Sequence, residues 1–128
     1  MPPPSSDRPI RPTRLEGREL VNVAGESHYQ DALHAIAGDG DGEVRLETTA
    51  ALVPEPSNPH DPNAVRVEID GALVGYLPRA AAVVYGPLVR QPAERGRTAV
   101  CDAMVAGRGG VLGVFLKLPA VEGDEADS

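Results

Sequence analysis

Cysteine, aromatic rings and long apolar runs are scarce in this chain of 128 residues. Cys101 is the sole cysteine, which excludes an intramolecular disulfide. It falls in the middle of an alternating apolar stretch, the setting of a buried thiol rather than a nucleophile. Aromatics make up 3% of the residues, so the core has to rest on Val, Leu, Ile and Ala. No apolar run is long enough to cross a membrane and no signal-peptide pattern follows Met1. A soluble, cytoplasmic protein is the expectation. No Gly-Lys-Ser/Thr follows a glycine run, so a Walker-type phosphate loop is excluded. His28, His34 and His60 are too widely spaced to complete a structural zinc site with one cysteine. The run Gly38-Asp39-Gly40-Asp41-Gly42 has a trace of a calcium loop but lacks its later ligands and closing Glu. No metal and no cofactor are expected.

Proline and acidic charge, by contrast, are plentiful. The formal charge is −7, which argues against a general electrostatic grip on nucleic acid. The acidic excess lies in Glu16 to Asp70 and after Pro119, whereas the stretch 79–108 holds Arg79, Arg90, Arg95, Arg97 and Arg108 against Glu94 and Asp102. The length suits one domain with a modest core. The proline-rich start reads as a disordered lead over 1–16 and the acidic end as a disordered tail over 119–128, leaving 17–118 as the folded domain.

Within that domain the pattern is mainly β. Leu20 to Ala24 suits a short first strand. A helix is expected from Ser27, with Ser27 as cap, Gln30 reaching back to it, and Tyr29, Leu33, Ile36 and Ala37 on one face. On this reading His34 lies on the helix surface and His28 near the helix end. Glu43 to Val53 alternates as a long strand with Val44, Leu46, Thr48, Ala50 and Leu52 on one side. Val65, Val67 and Ile69 alternate in the next, Asp70-Gly71 marks a two-residue hairpin turn, and Ala72 to Leu77 returns. Pro78 opens a short helix to Tyr85 that Gly86-Pro87 breaks or kinks, with another turn at Leu88 to Arg90. Arg97 to Ala106 is a strand. Gly107-Arg108-Gly109-Gly110 turns the chain between strands, so it is no dinucleotide fingerprint. Val111 to Leu118 is the last strand, with a bulge expected at Gly113. The order β-α-β-β-β-α-β-β, antiparallel hairpins with two short helices (α+β), predicts a small, partly closed β-barrel.

The stretch Glu55-Pro56-Ser57-Asn58-Pro59-His60-Asp61-Pro62-Asn63-Ala64-Val65 stands apart from this pattern. Repeated prolines fix φ and stiffen the loop, which can hold Asn58, His60 and Asp61 in one arrangement. On one reading it is a rigid connection whose Asn and Asp cap their own backbone. On another, its side chains face a ligand. Glu55, His60 and Asp61 offer acid/base or magnesium-binding groups, but phosphodiester hydrolysis wants further converging carboxylates, so no catalytic residue is assigned.

The string EPSNPHDPNAVRVEIDGALVGYLPR, Glu55 to Arg79, resembles the signature of the HIRAN domain family: an E-P-x-N-P-[YH]-D-x-N-A-[VI] loop and strand, a hairpin, then V-G-[YH]-[LI]-[PKS]. Val23 to Gln30 is similar to the first strand and helix entry of stand-alone bacterial members. The resemblance covers roughly Glu19 to Leu118 and implies an OB-like barrel. It also implies a nucleic-acid-binding module, without catalysis of its own, for single-stranded DNA ends or damaged DNA. In a DNA-binding member the loop lines a pocket for a free 3′-hydroxyl, and the matching positions here are Asn58, His60 and Asp61. Tyr76 and Arg79 fall where the family places further contacts. Where that member carries a basic residue and two tyrosines on the first strand, this chain has Val21-Asn22-Val23.

Two functions from different classes follow. One is a DNA-binding module acting beside a separate helicase or nuclease. The other is a protein-interaction adaptor that makes no DNA contact. Gathering of Arg79, Arg90, Arg95, Arg97 and Arg108 around Asn58 and Asp61 favours the first, and their scatter the second.

Overall fold

In a computed structural model, residues 12–38, 42–108 and 110–120 are described. The glycine-aspartate run considered for calcium falls mostly outside them, as do most of the expected tail and the lead up to Arg11.

The strands are β1 (Thr13–Leu15), β2 (Glu19–Asn22), β3 (Val44–Pro54), β4 (Val65–Ile69), β5 (Ala72–Tyr76), β6 (Ala99–Arg108) and β7 (Val111–Leu118). A 3₁₀ turn (Glu26–Tyr29) leads into α1 (Gln30–Ala37), and α2 is Arg79–Glu94. The sheet runs β2-β7-β6-β3-β4-β5, antiparallel throughout, and β1 adds a parallel pairing to β6. The sheet is not closed. Its two ends meet at an isolated bridge, where Ala24 N donates to Tyr76 O at 2.7 Å and Tyr76 N to Ala24 O at 2.9 Å. The result is the expected OB-like, partly closed barrel, with one strand more at its start than the order read from the sequence.

Alternation puts the core where the pattern placed it. Ala50 and Leu52 of β3, Val65, Val67 and Ile69 of β4, and Ala99, Cys101, Ala103 and Val105 of β6 are buried and pack into one cluster. Asp70 and Gly71 both have positive φ, 53° and 81°, the primed two-residue turn that matches the twist of a hairpin.

Five expectations give way, the last of them at His34 below. Residues 13–15 of the lead form β1, because Leu15 is buried in the core and Arg14 pairs with Asp102 on β6. Gln30 does not reach back to Ser27. Its Nε2 reaches back to Glu26 O at 3.1 Å, and its amide bridges to the last strand, Nε2 donating to Leu112 O at 2.8 Å and Oε1 accepting from Leu112 N at 2.9 Å. The chain is not broken at Gly86-Pro87: α2 runs through Pro87 and Pro92. Gly86 lacks the Cβ that would crowd the ring of a following proline. Pro87 is exposed, so water can reach the carbonyl that its missing N–H leaves unpaired. Finally, Gly113 keeps regular register with Ala106, and the irregularity lies between β4 and β5 at Val67/Glu68.

His34 is half-buried rather than a surface residue. Its Nε2 lies 2.7 Å from Gly110 O and its Nδ1 3.1 Å from Gly38 O, tying the end of α1 to the β6–β7 turn. His28 lies in the 3₁₀ turn, exposed and edge-on to Tyr29. Cys101 is fully buried, and that burial, with Asp102 adding to it, pushes its thiol up to about 12. Among the described residues no helix is long and apolar enough to cross a membrane.

Candidate functional site

The proline-rich loop leaves the end of β3 and returns into β4, its neck closed by Glu55 N donating to Ala64 O at 2.9 Å. Inside the neck the polar side chains hold the turn. Asn58 Oδ1 accepts from His60 N at 2.8 Å and from Asp61 N at 3.1 Å. Asp61 Oδ1 accepts from Asn63 N at 2.9 Å, the side-chain turn that Asp favours. Asn58 Nδ2 donates to Glu55 Oε1 at 3.0 Å.

Glu55 anchors the loop to the barrel. Besides Asn58, it accepts from Arg66 Nη1 at 3.2 Å and from the Tyr76 hydroxyl at 3.2 Å. Arg66 and Tyr76 face each other across β4 and β5 because of the irregularity at Val67/Glu68. Regular pairing outward from Ile69 and Ala72 would have set Arg66 opposite Gly75. At Gly75 a Cβ would meet the Val23 side chain and the Ala24 carbonyl, so a glycine there lets the barrel seam draw in. Arg66 is also an ion partner of Glu68, Nε to Oε2 at 2.8 Å, although that N–H is not aimed for a hydrogen bond. Desolvation by burial, reinforced by Glu55, raises the Tyr76 pKa, so this hydroxyl stays a donor at neutral pH.

The five residues expected to contact a ligand therefore lie in one connected patch, but in two layers. Asn58 and Tyr76 form the frame beneath, their polar groups engaged with the loop and Glu55. His60, Asp61 and Arg79 form the rim. The His60 side chain is exposed, and among the described residues its ring has no partner. Asp61 Oδ2 lies 3.5 Å from Arg79 Nε, with the Asp61 side chain 19% exposed and that of Arg79 76% exposed. Arg79 is the first residue of α2, which places this pair at a helix N-terminus. The loop motif gives Arg66 no contact role and offers Glu55 only as an acid/base or magnesium-binding group. The signal for them is an acidic residue opening the loop, with Arg and Tyr on the two strands that follow. It cannot be read without the one-residue slip that brings those two side chains together.

The arginines of 79–108 do not gather here. Arg108 pairs with Glu43 at 3.5 Å beyond the far end of the β3–β6 ladder. Arg95 and Arg97 line a cavity with Thr13 and Leu15 on the opposite flank of α2. Among the described residues no group of His, Cys, Asp and Glu is arranged to hold a metal ion.

The fold and the loop define a small β-barrel module that offers polar groups on a hydrogen-bonded connection between two strands. The sequence matches the HIRAN domain over residues 17–103, and the chain belongs to the HIRAN domain family. Family membership supports a DNA-binding module in general. The crystal structure of the HIRAN domain of human HLTF is similar at a TM-score of 0.45 and 19% identity, covering 82% of this chain and 78% of that one. No curated protein matches the chain in sequence.

Proposed function

We propose that this chain is a non-catalytic module that receives single-stranded DNA ends, or the exposed strand of damaged DNA, at the Asn58–Asp61 loop. The observation that carries the reading is the rim pair. Asp61 spends one carboxylate oxygen on its own turn and keeps the other beside an exposed, weakly held Arg79. A terminal sugar hydroxyl can donate to Asp61 Oδ2 while Arg79 turns outward to a phosphate, a charge-assisted bond. The His60 ring is free to stack on a base or bond a phosphate. Glu55 fixes the loop from beneath, so little order has to be imposed on binding. With no nucleotide-binding loop of its own, such a module would serve a separate helicase or nuclease.

Fluorescence anisotropy of a short single-stranded DNA at low salt tests this, with 3′-hydroxyl and 3′-phosphate ends in parallel. Tighter binding of the hydroxyl end, lost in Asp61→Ala, is the expected result. Equal, salt-sensitive binding of both ends, unchanged by the mutation, would reduce the site to a basic patch. No binding at tens of micromolar protein would favour the second reading, a protein-interaction adaptor. That reading has its own support in the scattered arginines and in Val83 and Val84, exposed at 58% and 45% on α2.

A further inference from the structure

Around α2 the charge balance is reversed. Residues 79–97 carry four arginines against one glutamate, in a chain whose formal charge is −7. Two of these arginines share a flank. At 100° per residue Arg79, Val83, Gly86 and Arg90 fall within an arc of roughly 60°, beside the buried side chains of Ala82, Tyr85, Val89 and Pro92, with Gly86 itself buried. Arg79 shows which way that flank faces, because it meets Asp61 of the loop.

Arg90 is half-buried, and it lies against a buried glycine, Gly86. Its guanidinium lies against Gly86, so that a Cβ there would stand 2.6 Å from Nη1 and 3.2 Å from Cζ. The side chain is thus drawn back one turn towards the helix N-terminus, the direction in which helical side chains lean. Among the described residues it has no ion-pair or hydrogen-bond partner, whereas Arg14, Arg66 and Arg108 all have carboxylates. Seven residues separate Arg79 from Gly86, about 10 Å along the axis. An extended single strand covers that span in about one or two phosphate steps, because its neighbouring phosphates lie farther apart than the axial spacing of a duplex.

We propose that Arg90, seated over Gly86, is a second phosphate contact that continues the strand's path from the Asp61–Arg79 rim along this flank of α2. Its ligand is the phosphodiester backbone, read without regard to base, about one or two phosphates further in than the one Arg79 takes. The inference rests on the loop binding a DNA end, and its test separates the two.

Anisotropy titrations with oligonucleotides of two and eight nucleotides, across a salt series, compare the unaltered chain with Arg90→Gln, Arg90→Lys and Arg45→Gln. Arg45 is an exposed arginine on β3, without a partner among the described residues, that borders the Glu43–Arg108 surface, so its loss removes the same charge elsewhere. For the eight-mer, Arg90→Gln is expected to weaken binding about tenfold. It should also lower the salt slope by about 0.7, one phosphate's worth on a single strand. Arg90→Lys should recover the slope and part of the affinity, Arg45→Gln should change neither, and the two-mer should not distinguish any variant. If the unaltered chain binds the eight-mer and Arg90→Gln matches it in affinity and slope, the track is wrong while the loop stands. Equal losses in Arg90→Gln and Arg45→Gln would also overturn it, as a general charge effect. If the unaltered chain binds neither oligonucleotide, the loop reading fails and the track with it.

Discussion

Glu55 opens the proline-rich loop, and its two carboxylate oxygens take donors from Asn58, Arg66 and Tyr76. Hydrogen bonds to charged groups are worth about 1.5–3 kcal/mol each when a partner is removed, less where water can replace it. Glu55→Ala should therefore cost about 2 kcal/mol in denaturant unfolding and speed amide exchange at His60 and Asp61, the N–H groups that the Asn58 side chain holds. Asp61→Ala loses one local turn and a loosely held ion pair. It should cost about 1 kcal/mol or less, while removing any preference for a 3′-hydroxyl. The contrast separates a residue that shapes the loop from one proposed to meet the ligand. Cys101 supplies a different kind of prediction. Its thiol is neutral in the core, where burial moves its pKa from the ordinary 9.0 to about 12. The folded state then holds a proton that the unfolded state releases, so the stabilisation is complete below pH 9.0 and is lost as the pH climbs towards about 12. At 1.36 kcal/mol per unit the full loss is about 4 kcal/mol. Denaturation followed from pH 8 to 11 should show the decline, and Cys101→Ala should flatten it.

The long strands and the hairpin were legible because each rests on one local rule. Period-two alternation set the buried face of β3, β4 and β6, and Asp70-Gly71 specified its turn before any partner was known. Elements held by distant contacts were not. α1 begins after a 3₁₀ turn whose capping position is Gly25, at φ 78°, because Gln30 is engaged with Leu112 on β7, and no spacing within 25–30 reveals that. A glycine within a strand suggests a bulge at Gly113. The glycine that matters is Gly75, whose missing side chain makes room for Val23 and Ala24 across the seam. In the same way the loop's rim residues were read from the motif, whereas its anchor depends on a register slip. α2 is the clearest miss. Gly86-Pro87 argues for a break or a kink, yet five buried side chains or backbones from Ala82 to Pro92 hold one continuous helix on the core. Packing outweighs a local penalty of about 3 kcal/mol for an interior proline. Pro87→Ala should accordingly raise stability by about 1–3 kcal/mol, measured by denaturant unfolding, with no change in far-UV signature beyond a small gain in helix.

On the scale of the whole molecule, the barrel is an open sheet whose weakest boundary is drawn together by short segments. The Ala24–Tyr76 bridge joins the sheet ends with two hydrogen bonds, and Tyr76 also carries the hydroxyl that holds Glu55. Seam and loop are thus tied through one residue, which gives the candidate site a direct dependence on closure of the barrel. β1 performs a similar task at the start of the chain. It lies parallel to β6 at Ala99 to Cys101, just where β7 ends its own pairing with that strand at Asp102. Without β1, the backbone groups of β6 at Ala99 to Cys101 would lose a partner along that edge, and the core would lose Leu15. A lead that composition marks as expendable therefore ends in part of the fold. Burying a leucine contributes about 1.5–3 kcal/mol, and an exposed strand edge invites pairing with other chains. Leu15→Ala should lower stability by about 2 kcal/mol. Removing residues 1–16 should cost more, because the Arg14–Asp102 contact and the strand pairing go with it. The truncated protein should also self-associate at concentrations where the full chain does not, a difference that sedimentation velocity resolves. Equal stability and equal sedimentation of the full and truncated chains would show that β1 is an accessory to the barrel rather than part of it.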